Sequence, residues 1–69
     1  MSTGLNARIS ANVRGELQRQ SRSVAQLAWS LRISRRSLLQ RLGGTVSFDT
    51  DELGAIAHHL DIGIAELIA

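Results

Sequence analysis

The stretch SVAQLAWSLRISRRSLLQRL, residues 23–42, decides the fold of this chain because it predicts two short helices joined by a tight turn. Ser23 and Ser34 each stand where a helix N-cap is expected, at the start of a segment whose apolar residues have helical spacing. These apolar residues are Val24, Leu27, Ala28 and Leu31 in the first helix of the pair and Leu38 and Leu42 in the second. Arg32 falls where the first helix of the pair must stop, which commonly requires a left-handed backbone.

The same spacing predicts three more helices around this pair. They are expected from Leu5 or Asn6 to Gln20, from a cap at Asp49 or Thr50 to His59 or Leu60, and from Ile64 to Ile68. The chain has no proline and no strict alternation of apolar and polar residues, so strands are not expected. The sequence therefore predicts an all-α, compact five-helix bundle over residues 5–69, preceded by a disordered segment at residues 1–4.

Composition excludes several classes of function. A chain of 69 residues makes one domain with little room for an enclosed catalytic pocket. It has no cysteine, which excludes disulfides and thiolate metal sites. His58 and His59 are adjacent, so their side chains point about 100° apart on a helix, and we expect no metal site there. No nucleophile–base pair is present, so we expect neither enzyme activity nor a cofactor.

The chain is expected to be cytoplasmic. It has no apolar run long enough to cross a membrane. Its N-terminus also lacks the basic and then apolar pattern of a signal peptide. We therefore expect no membrane partner.

Charge is divided sharply along the chain. Residues 1–42 contain all eight arginines and a single acid, Glu16, for a formal charge of +7. Residues 43–69 contain five acids and neither arginine nor lysine, for a formal charge of −5. A basic half built around two capped helices favours a polyanion, with duplex DNA as the leading candidate. RNA is a weaker candidate because one Phe and one Trp are too few to form a base-stacking platform.

A series of short motifs runs through about residues 6–68. They are Asn12-Val13-Arg14; Ser23 with Leu27-Ala28; Ile33-Ser34-Arg35 with Leu38 and Leu42; Gly44, Phe48 and Asp51-Glu52-Leu53; Ile56-Ala57 and Leu60; and Ala65-Glu66-Leu67-Ile68. In their order and spacing the chain resembles the Cro and phage-repressor class of helix-turn-helix regulators, the xenobiotic-response-element type. It departs from that pattern at Val24, where the family usually has Gln, and at Arg32 and Asp61, where it often has Gly.

The resemblance implies a lambda-repressor-like fold and sequence-specific binding to double-stranded DNA. The chain would be a transcription regulator, with a Cro-like or phage immunity-type repressor as the leading form, acting at the nucleoid of a bacterial or phage-infected cell. The base-contacting positions would be Arg35, Arg36, Leu39 and Gln40. The phosphate-contacting positions would be Arg22, Ser23, Ser34, Ser37 and Arg41.

A domain this small buries too little surface for strong site selection alone, so we expect a homodimer, weak in solution and stabilised on DNA. The candidate dimer contact is the apolar C-terminal run of Ile62, Ile64, Leu67 and Ile68. No small-molecule ligand is expected. Three further apolar residues, Trp29, Val46 and Phe48, are expected to join the core, Trp29 only in part, with a dimer or DNA-backbone contact as its alternative.

One alternative function stays open at this point. The same helical bundle suits a protein-interaction module, such as an antitoxin-like domain whose main task is to bind a protein partner. Retention on duplex DNA distinguishes the two functions.

Overall fold

The computed structural model describes residues 3–69, apart from the side chain of Thr3, and this range contains five α-helices. They are α1 (Thr3–Arg19), α2 (Val24–Leu31), α3 (Arg35–Leu42), α4 (Thr50–Leu60) and α5 (Ile64–Ile68). No strand occurs in this range, which confirms the all-α prediction. None of these helices is both long and apolar enough to traverse a lipid bilayer.

The helix bounds agree closely with those predicted, except at the N-terminus. α3 and α5 have the predicted bounds, whereas α1 begins at Thr3 rather than at Leu5 or Asn6. The sequence predicts that Thr3 and Gly4 belong to a disordered segment, but in the structure both are helical. Residues 1–2 of that predicted segment lie outside the described range.

Side-chain caps explain where the three central helices begin. The Ser23 Oγ accepts a hydrogen bond from the backbone N–H of Gln26 at 3.0 Å. The Ser34 Oγ accepts one from the N–H of Ser37, also at 3.0 Å. At the start of α4 the Asp49 carboxylate accepts the corresponding bond from the Glu52 N–H at 2.7 Å, and the Glu52 carboxylate accepts one from the Asp49 N–H at 2.9 Å. This reciprocal pair is a capping box, which satisfies two N–H groups that a helix start otherwise leaves unbonded.

Left-handed residues stop α2 and α4 in the same way. Arg32 has φ 57° and ψ 39°, and Asp61 has φ 55° and ψ 48°. The next residue in each case is an isoleucine whose backbone N–H donates to a carbonyl near the end of the helix. Ile33 donates to the Ala28 carbonyl at 3.1 Å, and Ile62 donates to the Ala57 carbonyl at 3.0 Å. Both isoleucines also pack against the core. Because a left-handed backbone costs a non-glycine residue about 1–2 kcal/mol, these bonds and contacts offset the strain.

The core lies where the inward faces of all five helices meet. α1 contacts α3, α4 and α5, while α2 packs on α3 and α4. The buried apolar residues are Ile9, Val13, Leu17, Leu27, Ala28, Leu38, Leu42, Phe48, Leu53, Ile56, Ala57, Leu60 and Leu67. Ser10 is buried among them, and its Oγ donates to the Arg41 carbonyl at 2.7 Å. That bond ties α1 to the end of α3.

Two predictions about the core were wrong. Phe48 is buried as predicted, but Val46 is exposed and Trp29 is 80% exposed. Leu27 and Ala28 already occupy the inward face of α2, and the next residue lies about 100° further round the helix. Trp29 therefore points into solvent instead of filling the core.

Candidate nucleic-acid interface

α3 has an inward face and an outward face within eight residues. Leu38 and Leu42 are buried in the core, one turn apart. The four predicted base-contacting residues, Arg35, Arg36, Leu39 and Gln40, are all exposed. Residues four apart lie nearly one above the other on a helix, so these side chains form two adjacent rows on the outward face. The structure thus brings the predicted base-contacting residues together.

The guanidinium groups of Arg35 and Arg36 have no carboxylate partner in residues 3–69, where the ion pairs are Arg19–Glu16 and Arg41–Glu52. The first turn of α3 also contains no acid. A helix N-terminus carries a partial positive charge that favours anions, so an exposed cation there is unfavourable by about 0.3–1 kcal/mol. Two arginines at this position leave the start of α3 strongly electropositive.

The capping serines lie at the starts of α2 and α3 and face solvent. Ser23 and Ser34 are exposed, and each hydroxyl accepts a backbone N–H bond while keeping its own O–H as a donor. Ser37 is half-buried one turn into α3, and its carbonyl accepts from the Arg41 guanidinium at 3.1 Å. Hydroxyl and N–H donors at helix starts are suited to bind phosphate oxygens.

Arg41 has a carboxylate partner within the fold. Its Nε lies 3.1 and 3.2 Å from the two carboxylate oxygens of Glu52, and its Nη1 donates to the Ser37 carbonyl. The side chains of Arg41 and Glu52 are only 19% and 14% exposed. The pair with Glu52 links α3 to α4, and the phosphate contact of Arg41 stays a prediction. The partners are eleven residues apart across a loop, so helical spacing does not indicate the pair.

Arg22 is held in place by His59, a contact that the sequence does not indicate. Its Nη2 lies 3.2 Å from the His59 carbonyl and 3.3 Å from His59 Nε2. The Ser30 Oγ is 2.9 Å from His59 Nδ1. Burial is the largest cause that lowers the pKa of His59, and the charges of Arg22 and His58 lower it further. A neutral ring fits both contacts when Nε2 accepts from Arg22 and Nδ1–H donates to Ser30.

The predicted dimer contact at the C-terminus is also corrected in part. Leu67 is fully buried in the core of its own chain, so it cannot contact a partner. Asn12 explains this orientation of α5 because its Nδ2 donates to the carbonyls of Leu67 at 2.9 Å and Ala69 at 3.2 Å. Ile62 is half-buried against the core. Only Ile64 and Ile68 of the predicted set are exposed.

A groove of about 620 Å³ runs beside α3 and was not predicted from the sequence. Three segments form it: α1, the residues around the Ser23 cap, and the end of α3. Its lining residues are Arg14, Leu17, Gln18, Arg22, Val24, Leu39, Leu42 and Gly43. Arg22 and Leu39 belong both to this groove and to the predicted DNA-contacting set.

Comparisons of the chain with family models, with curated proteins and with solved structures each returned no match. Within residues 3–69, no group of three or more His, Asp or Glu side chains is placed to hold a metal ion. We therefore infer the function from the geometry and charge of the residues described above.

Proposed function

We propose that this chain binds duplex DNA in a sequence-specific way and regulates transcription, with α2, the following turn and α3 acting as a helix-turn-helix unit. The observation that carries the proposal is the outward face of α3, where Arg35 and Arg36 stand exposed with no carboxylate partner among the described residues, 3–69. An α-helix about 10–12 Å across fits a major groove about 12 Å wide. The first turn of such a helix approaches the base edges.

Each outward residue of α3 has a distinct role in the proposal. Arg35 reads a base through two hydrogen bonds to guanine O6 and N7, and Arg36 divides its donors between a base and a phosphate. Gln40 can make the equivalent pair of bonds to adenine. Leu39 offers only apolar contact, for which a thymine methyl is the matching group. This set favours a site with both G·C and A·T pairs.

Phosphates are bound at the edges of α3 in the proposal. The donors are Arg22, the hydroxyls of Ser23, Ser34 and Ser37, and the first N–H groups of α2 and α3. Two copies on half-sites one helical turn apart supply the selectivity that one small domain lacks. Of the predicted dimer residues, Ile64 and Ile68 are left to contribute to that contact.

Selection of binding sites from random duplexes tests the proposal. The chain should enrich a sequence with two-fold symmetry. Arg35→Ala should lose about 1–3 kcal/mol of binding free energy and relax the preference at one base position of each half-site. Arg8→Ala is the matched control, since Arg8 is an exposed arginine of α1, outside the proposed contacts. An unchanged preference in Arg35→Ala would refute the assignment of α3.

The salt dependence of binding gives a second test. If each subunit neutralises about three phosphates, a dimer should show a log–log slope of affinity against salt of about −5. Fluorescence anisotropy with the selected duplex measures this slope. A slope near zero would contradict the proposed phosphate contacts.

The exposed Trp29 favours a second candidate function, a protein-interaction module. A large aromatic side chain that is 80% exposed is typical of residues that anchor protein interfaces. A stoichiometric complex with a protein partner, disrupted by Trp29→Ala, together with no retention on duplex DNA at low salt, would replace the DNA proposal. Salt-sensitive retention on duplex DNA that survives Trp29→Ala supports the DNA proposal.

A further inference from the structure

The groove beside α3 combines an apolar surface with two cationic side chains. Leu17 and Leu42, both core residues, form its buried part. Half-buried Val24 and Leu39, which is 48% exposed, add further apolar surface that is open to solvent. The volume of about 620 Å³ falls within the range of about 300–1,000 Å³ that is usual for small-molecule sites.

The two arginines at the groove, Arg14 and Arg22, have no carboxylate partner in residues 3–69. Arg14 donates through Nη1 to the Leu42 carbonyl, and Arg22 donates through Nη2 to His59. A guanidinium has five N–H donors, so each keeps donors for another acceptor. Both groups are therefore held by the fold while their charge remains uncompensated.

Charge and shape together define what would fill this groove. A wholly apolar molecule would leave the charges of Arg14 and Arg22 unmatched, and a small inorganic anion would leave the leucines uncovered. A molecule with a short hydrocarbon body and one carboxylate satisfies both parts. A guanidinium and a carboxylate form charge-assisted hydrogen bonds of matching geometry.

We propose that the groove between α1 and the end of α3 binds a small amphipathic carboxylate. Its hydrocarbon body lies against Leu17, Val24 and Leu39, and its carboxylate accepts hydrogen bonds from Arg14 and Arg22. The sequence predicts no small-molecule ligand for this chain. The groove is built from segments that are distant along the chain, so no local motif indicates it.

Ligand and DNA exclude one another in this proposal, a consequence that depends on the proposed DNA-binding function. Leu39 belongs to the outward face of α3, and Arg22 is a proposed phosphate contact; both line the groove. A bound carboxylate neutralises Arg22 and covers Leu39. The ligand therefore releases the chain from its operator.

Titration of the isolated whole chain with octanoate and with 1-octanol, followed by amide NMR, tests the site without DNA. Octanoate should shift the signals of groove residues, such as Leu17, Leu39 and Gly43, in a saturable way. Octanol, which has the same chain and no charge, should bind at least about tenfold more weakly because it lacks the charged hydrogen bonds. Absence of saturable shifts, or equal affinity for the two compounds, overturns the proposal.

Two variants locate the site. Arg14→Gln should weaken octanoate binding about tenfold, whereas Arg8→Gln, the same change at an exposed position of α1 outside the groove, should leave it unchanged. Leu39→Glu should abolish octanoate binding, and its half-exposed position allows the fold to survive. An equal effect of Arg8→Gln and Arg14→Gln, or no effect of Leu39→Glu, contradicts the site.

A competition with the selected duplex separates the two proposals. Saturating octanoate should lower duplex affinity at least about tenfold in the wild type, as expected when two ligands share residues. If octanoate binds and no duplex does, the DNA proposal fails and the proposed carboxylate site is supported. If the duplex binds and octanoate does not, the groove proposal fails. Unchanged duplex affinity at saturating octanoate overturns the exclusion.

Discussion

α3 and α4 begin with the same backbone geometry and opposite charge. Ser34 and Asp49 are both extended N-caps whose side chains accept the N–H three residues on. After the cap, α3 continues with Arg35 and Arg36. α4 instead places Asp51 and Glu52 in its first turn.

The difference shows which helix start is arranged for stability. The acids of α4 lie at the positive end of the helix dipole, and one of them completes a capping box, so each favours folding. The arginines of α3 lie at the same end of their helix dipole, where a positive charge disfavours folding. Helix stability does not explain the charges of α3, whereas the proposed contact with DNA would.

The largest effect is expected when α3 is given the charges of α4. The double variant Arg35→Asp with Arg36→Glu should lower duplex affinity by at least about 100-fold. The same change should raise the free energy of unfolding by a few tenths to about 1 kcal/mol, since acids suit a helix start. Anisotropy with the selected duplex and urea unfolding measure the two effects.

The matched control is Asp51→Arg, which gives α4 a cation in its first turn. It should lower stability by about 0.3–1 kcal/mol and leave the base preference unchanged. A double variant of α3 that binds as tightly as the wild type, or that is markedly less stable, would show that the two helix starts do not differ in this way.

The next largest effect concerns the link between the two helices. Glu52→Gln removes the negative charge that pairs with the mostly buried Arg41 and should cost about 1–3 kcal/mol of stability. It should also release the Arg41 charge, so the salt dependence of duplex binding becomes steeper. Unfolding and salt titration of the same variant test both outcomes. No loss of stability would show that the pair contributes nothing to the fold.

A smaller effect is expected at the caps themselves. Asp49→Ala and Ser34→Ala should each cost about 0.5–2 kcal/mol of stability because each removes a capping bond. Only Ser34→Ala should also weaken duplex binding, because only Ser34 positions α3. Equal losses of duplex affinity in the two variants would argue against a special role of α3.

The sequence predicts the parts of this molecule that depend on local signals. Ser34 and the spacing of Leu38 and Leu42 are enough to set the bounds of α3 and its inward face. The outward position of Arg35 and Arg36 follows from the same register, so that part of the candidate site was predicted residue by residue.

The remaining features depend on contacts between distant segments. Leu67 is buried where α5 packs against α1 and α4, and Asn12 of α1 donates to the carbonyls at the end of α5, a pairing that the five residues of that helix do not reveal. Arg41 is neutralised by a residue of the next helix. Hydrophobicity alone would bury Trp29, but its angular position on α2 keeps it exposed.

The smallest effect is expected at the other end of α4, where His59 contacts Arg22. The folded chain lowers the pKa of His59 below 6.5, so the unfolded chain binds a proton more readily. The contribution of His59 to the free energy of unfolding is therefore fully present above about pH 6.5 and is lost as the pH falls through the lowered pKa. Urea midpoints between about pH 7.5 and pH 5.5 measure this loss. His59→Gln should show a smaller loss, and an equal loss would assign the effect to other groups.

Amide NMR of the labelled chain with its selected duplex tests the assignment of α3 as the DNA-contacting helix, because it compares the two helix starts in one spectrum. DNA should shift the signals of residues 34–40 at α3 and of residues 22–24 at the start of α2. The signals of residues 49–52 at α4 should show only small changes. Shifts concentrated at α4 or α5, or no shifts at α3 while the duplex is bound, would contradict this assignment.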